Sequence, residues 1–170
     1  MCLLAVVEEA RLADEAKFDE ALLGNQDGFG FIGIRSGKLE YERTGGRNWV
    51  RDYPGTFLQK LKEWKESASG PLVVHLRQRT HGTNDSSMAH PFPFDSGGVK
   101  GYFAHNGVFQ DTLIRSLAEA LKVEEGQVET LSDSARVVKI MESTQVDAET
   151  MDWALAALCH ASPFNRIVFW

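Results

Sequence analysis

The second residue of the chain is a cysteine, and removal of Met1 places its thiol and an α-amine on one residue. Those two groups are a nucleophile and a base. Cysteine has a small side chain, the kind of residue before which an initiator methionine is ordinarily trimmed. An α-amine with an unperturbed pKa of about 7.7–8.0 keeps a neutral fraction near pH 7, whereas a lysine amine at about 10.4 is almost wholly protonated. The thiol, at about 8.5, lies within roughly one unit of that amine, so a proton passes between them for on the order of 1 kcal/mol. The chemistry predicted is attack by sulfur with the chain terminus as general base. The alternative is a second-position Cys that merely starts a strand. The histidines, His75, His81, His90, His105 and His160, show no HExxH or comparable ligand spacing, which argues against zinc. Cys2 and Cys159 lie far apart and form no CxxC pair, so neither a disulfide framework nor a cysteine-rich metal site is indicated. Cys159, within WALAALC, reads as a buried small hydrophobe.

The scaffold around these groups is bounded by size and composition. A chain of 170 residues suits a single domain spanning 1–170, with a core of two or more layers and no space for a second catalytic domain. With 43% apolar and 25% charged residues the chain belongs among folded globular proteins rather than disordered ones. A net charge of −6, with basic residues scattered among acidic ones, argues against a polyanion-binding surface, and nucleic acid is not expected as a direct substrate. The opening CLLAVV is too short for a signal-peptide core and is followed at once by EEAR. No apolar run approaches the roughly 20 residues that span a membrane. A cytoplasmic protein is the expectation.

Periodicity then supplies the elements. Residues 2–7 read as an apolar strand, and Asp14 to Leu23 carries Ala16, Phe18, Ala21 and Leu22 at near-helical spacing. Phe31–Ile34 and Leu39–Tyr41 flank a Ser36-Gly37 turn and predict a hairpin. Phe57, Leu58, Leu61 and Trp64 predict a helix over 56–64, entered through a turn at Pro54. PLVVHLR and GYFAH read as strands, separated by a long loop from Thr80 to Gly98, and a loop of that length inside a domain is commonly functional. Helices are predicted over about 112–121, 133–143 and 148–159, with RIVFW as a last strand. Sheets carrying helices at both ends suit layers of helix, sheet, sheet and helix.

Taken together, MCLLAVV at the start, HLRQRTHG at 75–82, MAHPF at 88–92, AHNGVF at 104–109 and LSDSARVV at 131–138 resemble class II glutamine amidotransferases, N-terminal-nucleophile enzymes with a catalytic cysteine. GNQDGFGF at 24–31 is similar to the family's Asp-Gly turn and following strand. The resemblance covers essentially the whole chain in order and spacing. It implies an α+β fold, a four-layer αββα sandwich of two antiparallel sheets between helical layers. It also implies hydrolysis of the glutamine side-chain amide through a thioester on Cys2, giving glutamate and ammonia, with no metal or organic cofactor.

Site roles follow from the same resemblance, and physical chemistry makes them sensible. Free glutamine is a zwitterion with a neutral amide at its far end, so its site needs a cation, an anion and a nucleophile. Arg77 matches the arginine that grips the α-carboxylate through a bidentate fork. Asp133 matches the acid that receives the α-ammonium group. Asn106 and Gly107 match the oxyanion hole; the competing meaning of Asn-Gly is a hairpin turn, which a helical downstream segment disfavours. Thr80, His81 and Gly82 fall in the segment 77–84 that resembles the family's substrate-closing glutamine loop, and His90 belongs to a motif bordering the pocket. His75 and His105 read as packed into the sheets. Two departures stand out. Gln78 replaces an aromatic found in several relatives, and Ala135 stands where many carry Glu, removing a polar contact near Asp133. No fused synthase follows, so a separately encoded ammonia-accepting synthase is the expected partner. The alternatives are an amidase of the same fold acting on γ-glutamyl peptides or other amides, and a catalytically silent binding or regulatory protein.

Overall fold

Residues 72–77, all buried, form the end of a strand that organises the first half of the molecule. The structure, a computed structural model, describes residues 2–46, 55–80, 82–83, 85–123 and 131–170. Pro54 and His81, both singled out above, lie outside the described residues. Contacts divide the chain into two compact units, Met1–Thr80 with Asn84–Pro91 and His81–Thr83 with Phe92–Trp170.

In the first unit, β1 (Leu3–Val7), α1 (Glu15–Leu22), β2 (Gly28–Arg35), β3 (Lys38–Gly45), α2 (Thr56–Ser67) and β4 (Ala68–Arg77) follow in order. The strands form one antiparallel sheet, β1-β4-β2-β3, with β4 paired on both sides. The β2–β3 hairpin turns at Ser36 and Gly37, both at positive φ (51° and 74°), the two-residue turn whose twist matches paired strands. Asp14 caps α1 by accepting from Ala16 N and Lys17 N. Leu72, Val74 and Leu76 face the same way as Phe29 and Phe31, and this face is covered by Phe57, Leu61 and Trp64 of α2 and Phe18 of α1. Phe31 stacks on Phe57 and on Trp64, each at 5.7 Å between ring centroids. This sheet face and its two helices are the core of the unit.

The second unit holds β5 (Phe92–Ser96), β6 (Val99–Asn106), α3 (Asp111–Ala120), α4 (Asp133–Ser143), α5 (Ala148–His160) and β7 (Arg166–Phe169). Its antiparallel sheet runs β5-β6-β7. Here the expected loop from Thr80 to Gly98 is corrected, because its second half is β5, joined to β6 through Gly97 and Gly98 at positive φ. The signal was an alternation, Phe92, Phe94 and Ser96 inward with Pro93 and Asp95 exposed, and Pro93 masked it. Proline is tolerated here because β5 is an edge strand, where a missing N–H interrupts no ladder. Ser96 Oγ donates to Met141 O at 3.0 Å, tying β5 to α4. Cys159 is a second correction: it is exposed, because the buried stripe of α5 runs through Met151, Ala154 and Leu158 and Cys159 lies one step around the helix from it.

The fold is therefore mixed α+β, with two antiparallel sheets and five α-helices among the described residues.

Candidate functional site

Register decides which residues share a surface. Leu76 pairs with Leu3 on one side and Phe29 on the other, all on the core face of the first sheet. Side chains alternate along a strand, so His75 and Arg77 project from the opposite face, as does Cys2, which precedes Leu3. Cys2, Arg77 and Asp27 also lie at one end of the sheet, where β1 and β2 begin and β4 ends.

At that end the half-buried Cys2 makes an extra rung of the ladder with its side chain. Sγ lies 3.3 Å from Gln78 O, to which the thiol donates, and 3.3 Å from Gln78 N, whose N–H donates to sulfur. An N–H donor and a neighbouring guanidinium are the surroundings a developing thiolate requires. Both contacts use the Gln78 backbone, so an aromatic or a glutamine at 78 serves equally for them. Arg77 is buried at 3% exposure. Burial pushes its guanidinium below the usual arginine range, while Asp27, Cys2 and Asp85 act in the other direction. Thr80 is exposed three residues beyond.

Asp27 went unassigned in the sequence, although the Asp-Gly dipeptide ahead of β2 marked it. Its N–H donates to Arg77 O at 3.0 Å, and its Oδ2 accepts from Arg79 N at 2.8 Å. One residue therefore clasps the backbone on both sides of Gln78, whose N–H and C=O hold the sulfur.

His90 is buried against His75, ring centroids 4.2 Å apart. The reason lies in one row across the sheet, His75–Gly30–Arg43. A Cβ at Gly30 would collide with His90 O and sit 2.8 Å from Pro91 Cδ, so only glycine lets this segment cross the strand. Arg43 Nη1 then donates to Ser87 O, Ala89 O and Pro91 O at 3.2–3.3 Å. An open groove of about 500 Å³ beside it is lined by Tyr41, Glu42, Arg43, Ser86 and Ser87, none of them a predicted site residue.

The second unit carries the other predicted residues. Asn106 ends β6, Gly107 follows at φ 146°, and α3 begins at Asp111, so Asn-Gly does not join paired strands. The Oδ1 end of the Asn106 amide is buried with no hydrogen-bond partner among the described residues. Asp133 opens α4, and its Oδ2 accepts from Phe109 N at 2.7 Å. A carboxylate at this first turn is also favoured by the helix dipole. Ser132 caps the helix, its Oγ accepting from Ala135 N at 3.3 Å. Ala135 is buried and lacks the carboxylate that would complete a reciprocal cap, which is the structural form of the Glu departure. Gly82, at φ +75°, lies against this cap: a Cβ there would sit 2.7 Å from Ser132 N.

His105, read as a packed histidine, is buried at 2% exposure and sits behind Gly107. Nδ1 is 2.9 Å from Ser134 Oγ and Nε2 is 3.3 Å from Asn165 Oδ1, while the ring stacks on Phe109 at 3.8 Å. Burial holds its pKa below the usual histidine value, against the opposing influence of Asp133 and the bond to Asn165. Ser134 lies within the 131–138 motif but was assigned no role, and nothing in the sequence flagged Asn165.

Thus the first unit brings together Cys2 and Arg77, and the second brings together Gly107, His105 and Asp133 through Phe109. Among the described residues no group of three or more His, Cys, Asp or Glu side chains could hold a metal ion, and no helix is long and apolar enough to cross a membrane. A scan against protein-family models and a search of curated proteins each returned no match to the chain.

Proposed function

We propose that the chain is a glutaminase of the class II glutamine amidotransferase type, acting in the cytoplasm and releasing ammonia for a separately encoded synthase. The observation that carries this reading is the seating of the Cys2 sulfur on the Gln78 backbone beside buried Arg77. A merely structural cysteine at the head of an edge strand needs neither a ladder-like pair of contacts nor a buried cation. The α+β class with two antiparallel sheets is compatible with the four-layer sandwich of such enzymes.

In this reading Met1 is removed and the Cys2 α-amine takes the thiol proton as sulfur attacks the glutamine side-chain carbonyl carbon. A C–S bond forms, and negative charge develops on the oxygen. Asn106 and Gly107 are assigned the donors to that oxygen, a role worth about 2.7–4 kcal/mol of barrier per donor. Collapse breaks the C–N bond, and the ammonium proton of Cys2 leaves with ammonia. Water then cleaves the thioester to glutamate and restores the thiol. Arg77 is assigned the α-carboxylate and Asp133 the α-ammonium group. Thr80, His81 and His90 are assigned to substrate binding by the same resemblance.

Incubating protein whose intact mass shows that it begins at Cys2 with glutamine is expected to yield glutamate and ammonia, and Cys2→Ala is expected to abolish both. An unchanged rate in Cys2→Ala overturns the assignment. Faster cleavage of γ-glutamyl dipeptides than of glutamine replaces the substrate but keeps the nucleophile.

A further inference from the structure

One buried side chain near the end of the chain controls a histidine that the proposed mechanism does not use. Asn165 is 3% exposed, and its Nδ2 donates to Leu158 O at 3.0 Å. That bond fixes which way the amide points, because a carbonyl accepts only from the NH2 end. Oδ1 is thereby turned to His105 Nε2 at 3.3 Å, so Nε2 carries the proton and donates. Nδ1 must then be the acceptor, and the Ser134 hydroxyl donates to it at 2.9 Å. The chain of bonds runs in one direction from Ser134 through His105 and Asn165 to Leu158, with every side chain in it buried.

The backbone after β6 wraps around this imidazole. A Cβ on Gly107 would lie 2.7 Å from Nε2 and closer still to Asn165 Oδ1, so Gly107 rests directly on that bonded pair. Phe109 stacks on the same ring with an interplanar angle of 9°, and its N–H is held by Asp133. Packing alone would be met by any flat ring. A hydrogen-bonded, single-tautomer ring is more than packing needs, and in a low-dielectric interior such chains of bonds reinforce one another.

We infer that Asn165 and His105 are positioning residues that hold the Gly107 backbone in place, Asn165 acting by fixing the His105 tautomer. This rests on the reading of Asn106 and Gly107 as oxyanion donors and deepens it, since neither His105 nor Asn165 touches substrate in that reading.

The test joins kinetics with imidazole nitrogen NMR in the full chain. The wild-type protein is expected to show His105 as the Nε2–H tautomer. Asn165→Ala is expected to lower kcat by on the order of 10- to 100-fold with KM nearly unchanged, a smaller loss than removal of a donor itself. It should also displace the Gly107 amide resonance. Should Asn165→Ala not fold, two His105 variants decide. His105→Gln keeps an N–H for Asn165 and should retain most of the rate, whereas His105→Phe keeps the ring against Phe109 and should not. Equal kcat in wild type, Asn165→Ala and His105→Phe, with turnover still dependent on Cys2, overturns this inference and leaves the glutaminase reading standing. Absence of any Cys2-dependent turnover overturns the glutaminase reading instead. The NMR then decides alone: a Gly107 amide and a His105 tautomer unmoved by Asn165→Ala reject the positioning role, and displacement of both supports it.

Discussion

The two units hold their predicted site residues by opposite means. In the first, Cys2 is half exposed and is gripped by backbone groups at a sheet end, beside buried Arg77, on which Asp27 and Asp85 act in turn. In the second, Gly107 rests on a buried, uncharged network of Ser134, His105 and Asn165. On the proposed glutaminase reading, the difference matches what each group would have to do. A nucleophile must meet substrate and change its charge, so it sits at an open edge among ionic groups. A hydrogen-bond donor that must keep its aim is better supported by a dry interior, where neutral hydrogen bonds are strengthened and no titration disturbs them near pH 7.

The contrast can be broken from either side. The largest effect is expected from Asn106→Ala, which on the proposed reading removes an oxyanion donor and should lower kcat by about 10²–10³ with little change in KM; a normal kcat would deny the second unit the role proposed for it. Next is Arg77→Lys in the first unit. Losing the bidentate fork forfeits charge-assisted bonds worth about 1.5–3 kcal/mol, so KM should rise by roughly 10- to 100-fold with kcat less affected. A fall in kcat alone would mean that Arg77 serves the sulfur rather than the substrate.

Smaller effects sharpen the comparison. Asp27→Ala removes the side-chain half of the clasp around Gln78, keeping the backbone bond to Arg77 O, and should reduce stability by about 1 kcal/mol, read as a lower urea midpoint, while Asp27→Asn retains an acceptor for Arg79 N and should lose less. The smallest effect is a pH dependence. His105 has a folded pKa below its unfolded value of about 6.5, so as pH falls the unfolded chain takes up that proton first. Its contribution to stability is complete above about pH 6.5 and is lost as pH drops toward the lower folded value. Asp133, whose charge acts on the ring, opposes the shift and narrows the window. Thermal midpoints of wild type and His105→Gln between pH 5 and 8 should converge on the acid side. Parallel curves would show that His105 is not held neutral.

Much of this arrangement is written in local patterns. The run PLVVHLR carries the strand that ends at Arg77, the apolar spacing of 56–64 carries α2, and Asp133–Ser143 is a helix as its periodicity predicts. What stayed hidden had non-local causes. The bonds from His105 span 29 and 60 residues, and no spacing rule joins a histidine to a serine and an asparagine that distant. Asp27 was visible as a turn residue, but its clasp depends on β2 pairing with β4, a register that the sequence does not state. β5 was concealed by Pro93, whose tolerance depends on the strand's place at an edge. Cys159 followed the apolar composition of its helix rather than its phase.

That outward position of Cys159 bears on every experiment that would identify the nucleophile by its sulfur. Alkylating reagents will find two accessible thiols, and adduct stoichiometry alone will not assign either of them. Air oxidation can couple two polypeptides through residue 159 and leave residue 2 intact. In a Cys159→Ser background, each modified molecule counted by mass reports on Cys2 alone.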